Sequence, residues 1–294
     1  MAEIFLGTSS WSEGSWSGGF YPPGMPRREW LRHYATRLPT VEADVTWYRV
    51  PSRSMVRGWA ERTPPGFLIA AKFPRSVVHG GRDARPDPGR ILRRDVVGKD
   101  AEAFLEAMDE LGFRAGPLVL QFPWFGKEVF PDPGPFLELL DGFLDWLPAR
   151  FRYAVEIRNP AWLRPDLSAL LRTHAAALVL VEKRGLPHPA DLWDRLDLFP
   201  ADFVHARLIG DRARMDALTD VFDRRVLPRG ESLERWAALL RELPARVSRA
   251  FVYANNHYEG YAPATVAALL ELMGDEEGAR RLLEPPAQGG LPFS

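Results

Sequence analysis

The chain has no cysteine. That absence excludes disulfides, thiolate nucleophiles, iron–sulfur ligation and cysteine-rich zinc sites together. It also suits a reducing compartment, and a cytoplasmic location is expected. An excess of charge is missing too: 38 Lys and Arg stand against 39 Asp and Glu, for a net charge of −1. No whole-molecule field therefore gathers nucleic acid or anionic lipid, and any such attraction must be local. No apolar run approaches the roughly 18 residues of a membrane span, and Met1-Ala2-Glu3 runs into Ile4 without a basic, apolar leader, so no membrane association is expected. The sequence also lacks GxGxxG, HExxH, GxSxG and GxxxxGK[ST]. Dinucleotide-fold, zincin, α/β-hydrolase and P-loop readings are thus left without their required residues.

What the chain does have is a repeated alternation. Eight short apolar runs, Ile4–Ser10, Thr40–Arg49, Phe67–Pro74, Pro117–Pro123, Tyr153–Asn159, Ala176–Lys183, Phe203–Gly210 and Ala250–Asn256, read as strands. Most are followed by a stretch of helical periodicity: Trp30, Leu31, Tyr34 and Leu38 share one helix face, and Ser52 is placed to cap the next helix. Strands alternating with helices predict an α/β fold, specifically a TIM (β/α)8 barrel with an active site at the C-terminal ends of its strands. A length of 294 residues, 46% hydrophobic, suits one such domain of about 250 residues plus insertions. We expect a single barrel over 1–283 and a loosely ordered tail over 284–294, with the final helix running from Ala262 to Leu283. Long loops follow strand three, up to Val97, and strand seven, Asp211–Gly230. Loops of that length are usually functional or disordered.

Side chains alternate along a strand, so residues two apart share a face. This puts Glu42, Asp44 and Thr46 together, pairs Glu156 with Arg158, and aligns His205, Arg207 and Ile209. Lys72, Gln121, Glu182 and Asn255 stand near other strand ends. The inferred lumen mixes acids with bases, where isolated charges would cost several kcal/mol each unless paired. An ion-paired network is expected, either as a polar plug or as a functional site. Glu156 and Glu182, on successive strands, would also suit the 5–5.5 Å carboxylate separation of a retaining glycosidase. Aromatic residues crowd the same end: Trp11, Trp16, Phe20, Tyr21, Trp47, Tyr48, Trp124, Phe125 and Trp162 either stack a ligand or pack on one another as a lid. Arg75, Arg82, Arg85, Arg90, Arg93 and Arg94 in one long loop, with Arg212, Arg214, Arg224, Arg225 and Arg229 in the other, predict a positive rim for an anion. His79 and His257 are candidate acid/base groups or metal ligands, whereas His33, His174 and His188 read as surface or helix residues.

The same residues carry a family resemblance. Gly7-Thr8-Ser9-Ser10-Trp11, Phe20-Tyr21-Pro22-Pro23-Gly24, Thr40-Val41-Glu42 with Thr46-Trp47-Tyr48-Arg49, and Lys72-Phe73-Pro74-Arg75 resemble the YecE-like family, domain of unknown function seventy-two. So do His79, Gln121-Phe122-Pro123, Glu156-Ile157-Arg158-Asn159-Pro160-Ala161-Trp162, Arg207 with Gly210, and Asn255-Asn256 with Gly260. The resemblance spans about Ile4 to Ala264. It implies a TIM barrel and no established activity, with recurrent polar positions at Glu42, Tyr48, Lys72, His79, Gln121, Glu156, Arg158, Arg207 and Asn255. Asp44 replaces the family's usual Asn, and Asn159 and Ile209 its usual His.

Three functional classes follow. In the first, an enzyme acts on a small anionic substrate, phosphorylated or nucleotide-like. Glu156 is its acid/base, oriented by Arg158, and Lys72 and Arg207 neutralise developing charge. His79 is a further catalytic candidate, and Glu42, Tyr48, Gln121, Arg207, Asn255 and Trp11 bind substrate. No cofactor is required, and a Glu156→Gln variant should fold but not turn over. In the second class a divalent metal held by Asp44, Glu156, Glu182, His79 and His257 hydrolyses nucleic-acid phosphodiesters. In the third the arginine loops form a non-catalytic binding module for a protein or nucleic acid. The sequence leaves oligomeric state open.

Overall fold

A computed structural model describes residues 2–81 and 85–285. In chain order its elements are β1 (Glu3–Thr8), α1 (Arg27–Tyr34), β2 (Thr40–Ala43), α2 (Arg53–Glu61), β3 (Leu68–Lys72), α3 (Arg75–Val78), α4 (Arg94–Asp109), β4 (Ala115–Gln121), α5 (Gly134–Trp146) and β5 (Tyr153–Glu156). These are followed by α6 (Pro165–Thr173), β6 (Ala177–Lys183), β7 (Phe203–Gly210), α7 (Arg212–Asp216), α8 (Gly230–Arg241), β8 (Arg249–Ala254), α9 (Asn256–Glu259), α10 (Ala262–Leu272) and α11 (Glu276–Leu283). The eight strands pair in parallel in sequence order, and β8 closes on β1, giving the TIM barrel the alternation predicts. No helix among the described residues is long and apolar enough to cross a membrane.

The strands are apolar on both faces because each separates two cores. Outward-facing Val41, Ile69, Leu118, Leu120, Leu178, Leu180, Ala206 and Val252 join the helices in one large apolar cluster. Inward-facing Phe5, Leu68, Ala70, Val119, Ala154, Val179, Phe203 and Phe251 form a second cluster in the lumen. Phe5 stacks on Phe251 at 5.2 Å, closing the N-terminal end of the barrel. Gly7 is required where β1 meets β2: a Cβ there would lie 2.2 Å from the Thr40 carbonyl oxygen. The expected stripe Trp30, Leu31, Tyr34 and Leu38 is buried, and Ser52 Oγ accepts from Met55 N at 3.2 Å, capping α2.

Three expectations need correction. Strand two ends at Ala43 rather than Arg49, and Asp44–Trp47 forms a 3-10 turn. Thr46 Oγ1 stabilises that turn by donating to Ala43 O (3.0 Å) and accepting from Lys72 N (2.9 Å), so it does not line up with Glu42 and Asp44. The final helix breaks at Gly274, whose φ of +88° no helix allows, and Asp275 then caps α11 by accepting from Gly278 N. Between β6 and β7 only the 3-10 turn Pro189–Leu192 covers the sheet, as the short helical signal there suggests. Residues 286–294 of the expected tail lie outside the described residues. Glu284, just before them, receives Arg37 Nη1 on its carbonyl oxygen at 3.0 Å.

Candidate functional site

Above the apolar floor the lumen turns polar within one layer. Glu42 of β2, Lys72 of β3, Glu156 of β5 and Arg207 of β7 all point to the axis, and each is 2% exposed or less. Arg207 Nη1 donates to Glu156 Oε2 at 2.5 Å and to Gln121 Oε1 at 2.7 Å, and its Nη2 lies 2.9 Å from Glu42 Oε1. Lys72 Nζ approaches Glu42 Oε1 at 3.1 Å and also pairs with Asp44. His205 Nε2 donates to Glu42 Oε2 at 3.2 Å. Two acids and two bases thus neutralise one another, as burial demands.

Electrostatics follow from this packing. Burial alone would raise the Glu42 carboxyl. Arg207, Lys72 and the His205 hydrogen bond overcome it and hold the group well below the ordinary carboxylate range. Burial likewise opposes ionisation of Glu156, but Arg207 and Arg158 lower it to about 2. Burial would lower the Arg207 guanidinium, yet Glu156 and Glu42 raise it further above its usual value. His205 is pushed down by burial more than Glu42 lifts it, so it is neutral at pH 7. A carboxylate held ionised by two guanidiniums has no proton to donate near neutral pH and is a weak base. Glu156 therefore fits an orienting role better than the acid/base role its sequence position suggests. Removing its charge would leave buried Arg207 with Glu42 as its one carboxylate among the described residues, so Glu156→Gln should not fold as well as the parent, contrary to the expectation from sequence.

The rim differs. Arg158, 27% exposed, donates its Nε to Glu156 Oε1 at 2.8 Å. No hydrogen bond within the described residues engages its two terminal nitrogens. Lys183 ends β6 opposite Gly210, with Val179 and Val181 before it on the same inward face. Its Nζ donates only to Arg184 O at 3.2 Å, and among the described residues no carboxylate lies within 4.0 Å. Burial, then repulsion from Arg158, lowers its ammonium below the ordinary lysine value, and Glu156 and Asp211 offset only part of that. The Gly210 partner position takes φ +76°, and a Cβ there would lie 2.8 Å from the His257 carbonyl oxygen, so only glycine fits.

The alternation thus yields Lys183, not Glu182, at the mouth. Glu182 faces outward, where its Oε2 accepts from Ser232 Oγ (2.8 Å), Trp236 Nε1 (2.7 Å) and Tyr258 OH (2.7 Å). It cannot pair with Glu156 across the lumen, which removes the glycosidase geometry. His188, read as a surface residue, is buried beside it, its ring 5.3 Å from Trp236. His257 is held away from the quartet by Asn255 Oδ1 (2.8 Å) and Asp216 Oδ1 (3.0 Å), and Asn255 spends its side chain capping α9. His79 is buried beyond α3 with its ring edge on Trp47 at 5.6 Å. The five residues of the metal-ligand reading are therefore not gathered, and no group of three His, Asp or Glu suited to a metal occurs among the described residues.

Most of the crowded aromatics pack on one another, as the lid alternative has it. Trp16, Phe20 and Tyr21 are buried, Phe125 stacks on Trp162 at 5.5 Å, and Trp11 meets Trp59 edge-on at 5.5 Å. Tyr48 (65% exposed) and Trp124 (63%) remain open to solvent in the segments after β2 and β4. Several loop arginines are internal ties. Arg75 stacks over Trp47, Arg90 Nε donates to Gly80 O, Arg225 pairs with buried Glu259 at 2.6 Å, and Arg229 Nε donates to Tyr258 O. Arg82 lies outside the described residues. Asn159 braces the β4 and β5 loops through two 2.8 Å hydrogen bonds to the Phe125 backbone. Sequence reasoning missed Lys183 and left His205 out of the candidate set. For both, the signal was strand parity.

Comparison with known proteins agrees with the fold. The family profile described as "Protein of unknown function DUF72" matches residues 5–289. The "UPF0759 protein YecE" of Escherichia coli (strain K12) is 29% identical over 215 residues, 70% of each chain. A DUF72 family protein of Thermotoga maritima MSB8 superposes with a TM-score of 0.68 at 24% identity, covering 92% of this chain and 99% of that one. Another, from Enterococcus faecalis V583, gives 0.67 at 18% identity, covering 92% and 95%. With a profile match over nearly its whole length and a barrel shared with DUF72 family proteins, the chain belongs to the DUF72 family of proteins of unknown function.

Proposed function

We propose that the protein is an enzyme whose active site is the C-terminal mouth of the barrel and whose substrate is a small anion. The observation that carries this is the rim pair: Arg158 and Lys183 are neighbouring cations, and among the described residues Arg158 meets one carboxylate, Glu156, while Lys183 has none within 4.0 Å. Such an arrangement is costly in the free protein and relieved by an anionic ligand. The buried quartet beneath acts as a rigid support, holding Glu156 so that Arg158 is aimed and its terminal nitrogens stay available. The Gln121 amide nitrogen, which makes no hydrogen bond within the described residues, adds a neutral donor. Tyr48 and Trp124 offer exposed ring faces for a planar part of the ligand.

A thermal-melt titration with inorganic phosphate, at constant ionic strength set by chloride, tests this reading. Saturable stabilisation is expected, reaching about 2.7 kcal/mol at a hundredfold excess over Kd. The Arg158→Met variant should lose it. Equal stabilisation by chloride, or an unchanged response in Arg158→Met, would refute an anion site at the mouth.

A further inference from the structure

Of the 38 cationic side chains only four are lysines: Lys72, Lys99, Lys127 and Lys183. The chain uses arginine almost wherever it needs a positive charge, so a retained lysine points to something a guanidinium cannot do. Arginine is always protonated, whereas a lysine amine can give up its proton and act as a nucleophile. Lys99 and Lys127 are exposed. Lys72 is sealed in the quartet by Glu42 and Asp44. Lys183 alone is half-buried at the mouth, without a carboxylate partner among the described residues and beside another cation.

Those surroundings activate an amine. Withdrawal from water and a neighbouring positive charge both favour the neutral form, which carries the lone pair. The lowered proton affinity of Lys183 agrees with that. We propose that Lys183 condenses with the carbonyl group of an anionic aldehyde or ketone whose phosphate or carboxylate is held by Arg158. The neutral Nζ attacks the carbonyl carbon and a C–N bond forms as the C=O π pair moves to oxygen. The oxygen is protonated, the C–O bond breaks and one water leaves. Nitrogen loses its two protons in exchange with solvent at the open mouth, so amine plus carbonyl gives imine plus water, with no redox partner. Protonation of that imine would make it an electron sink for the adjacent carbon.

The inference rests on the anion-site reading but fails separately from it. The probe is glycolaldehyde phosphate, added to the intact protein with sodium cyanoborohydride and followed by peptide mapping. A reduced adduct is expected on Lys183 at least tenfold faster than on Lys99 or Lys127. Inorganic phosphate should slow it, and Arg158→Met should slow it by a similar factor. Whole-protein mass should show one rapid addition in the parent and none in Lys183→Arg over the same interval. Labelling of Lys183 no faster than of the two exposed lysines would overturn the inference. If phosphate still stabilises the protein in that case, the anion site stands and only the amine chemistry falls. If it does not, both fall.

Discussion

Two tiers of charge occupy the upper barrel, and they differ in what neutralises them. In the lower tier Glu42, Lys72, Glu156 and Arg207 come from four strands and satisfy each other at 2.5–3.1 Å, with Gln121 and His205 taking remaining bonds. In the upper tier Arg158 and Lys183 share one side of the rim with only part of their charge answered. Both tiers contain the residue types that mark active sites, and the proposed anion site rests on the upper one, where among the described residues Lys183 has no carboxylate within 4.0 Å. A perturbed ionisable group signals function most strongly when its protein partners run out. The lower tier is architecture for the upper one.

That contrast predicts unequal responses to mutation. The largest effect should come from Arg207→Leu, which takes the shared guanidinium from two buried carboxylates and leaves each with a single cation among the described residues, Lys72 or Arg158. A loss of about 3–5 kcal/mol is expected, read as a fall in melting temperature on the order of 10 °C. A melting temperature within 2 °C or so of the parent would mean that the quartet is not a closed ionic unit.

Acid should act next. The depressed carboxyls of Glu42 and Glu156 contribute stability that is fully present above the ordinary value near 4.5 and is lost as pH falls below it, for Glu156 through about 2. His205, neutral when folded, adds a contribution present above 6.5 that declines as pH drops below it, because the unfolded state takes up the proton more readily. Melting temperature should therefore begin to fall below pH 6.5 and fall more steeply below 4.5. A flat profile from pH 7 to 3 would contradict this.

The smallest structural effect should follow Lys183→Met, which removes a charge that has no carboxylate within 4.0 Å among the described residues. Stability without ligand should stay within about 0.5 kcal/mol of the parent, while stabilisation by phosphate disappears. Marked destabilisation with phosphate binding retained would reverse the assignment of the two tiers.

The barrel was legible because strand-plus-helix periodicity is a long-range repetition that survives errors of a few residues at each end. Phe203–Gly210 comes out as read, and Tyr153 begins β5 as expected. The site was legible only where parity was counted from a well-placed strand. Arg207 and Glu156 follow from β7 and β5. Glu182 and Lys183 are adjacent, and assigning the inward role to the acid put it on the wrong side of the sheet. Thr46 was misaligned for another reason: the strand gives way to a 3-10 turn and the period of two no longer applies, although Asp44 still meets Lys72 beside Glu42. The exposure of Tyr48 and Trp124 amid packed aromatics depends on loop geometry that no local pattern encodes.

The most direct test is a crystal structure of the protein grown in phosphate. A tetrahedral anion bridging the Arg158 guanidinium and Lys183 Nζ is predicted, with the quartet below unchanged. A mouth without an anion, in which Lys183 instead forms a close ion pair with Asp211 or another carboxylate, would contradict it.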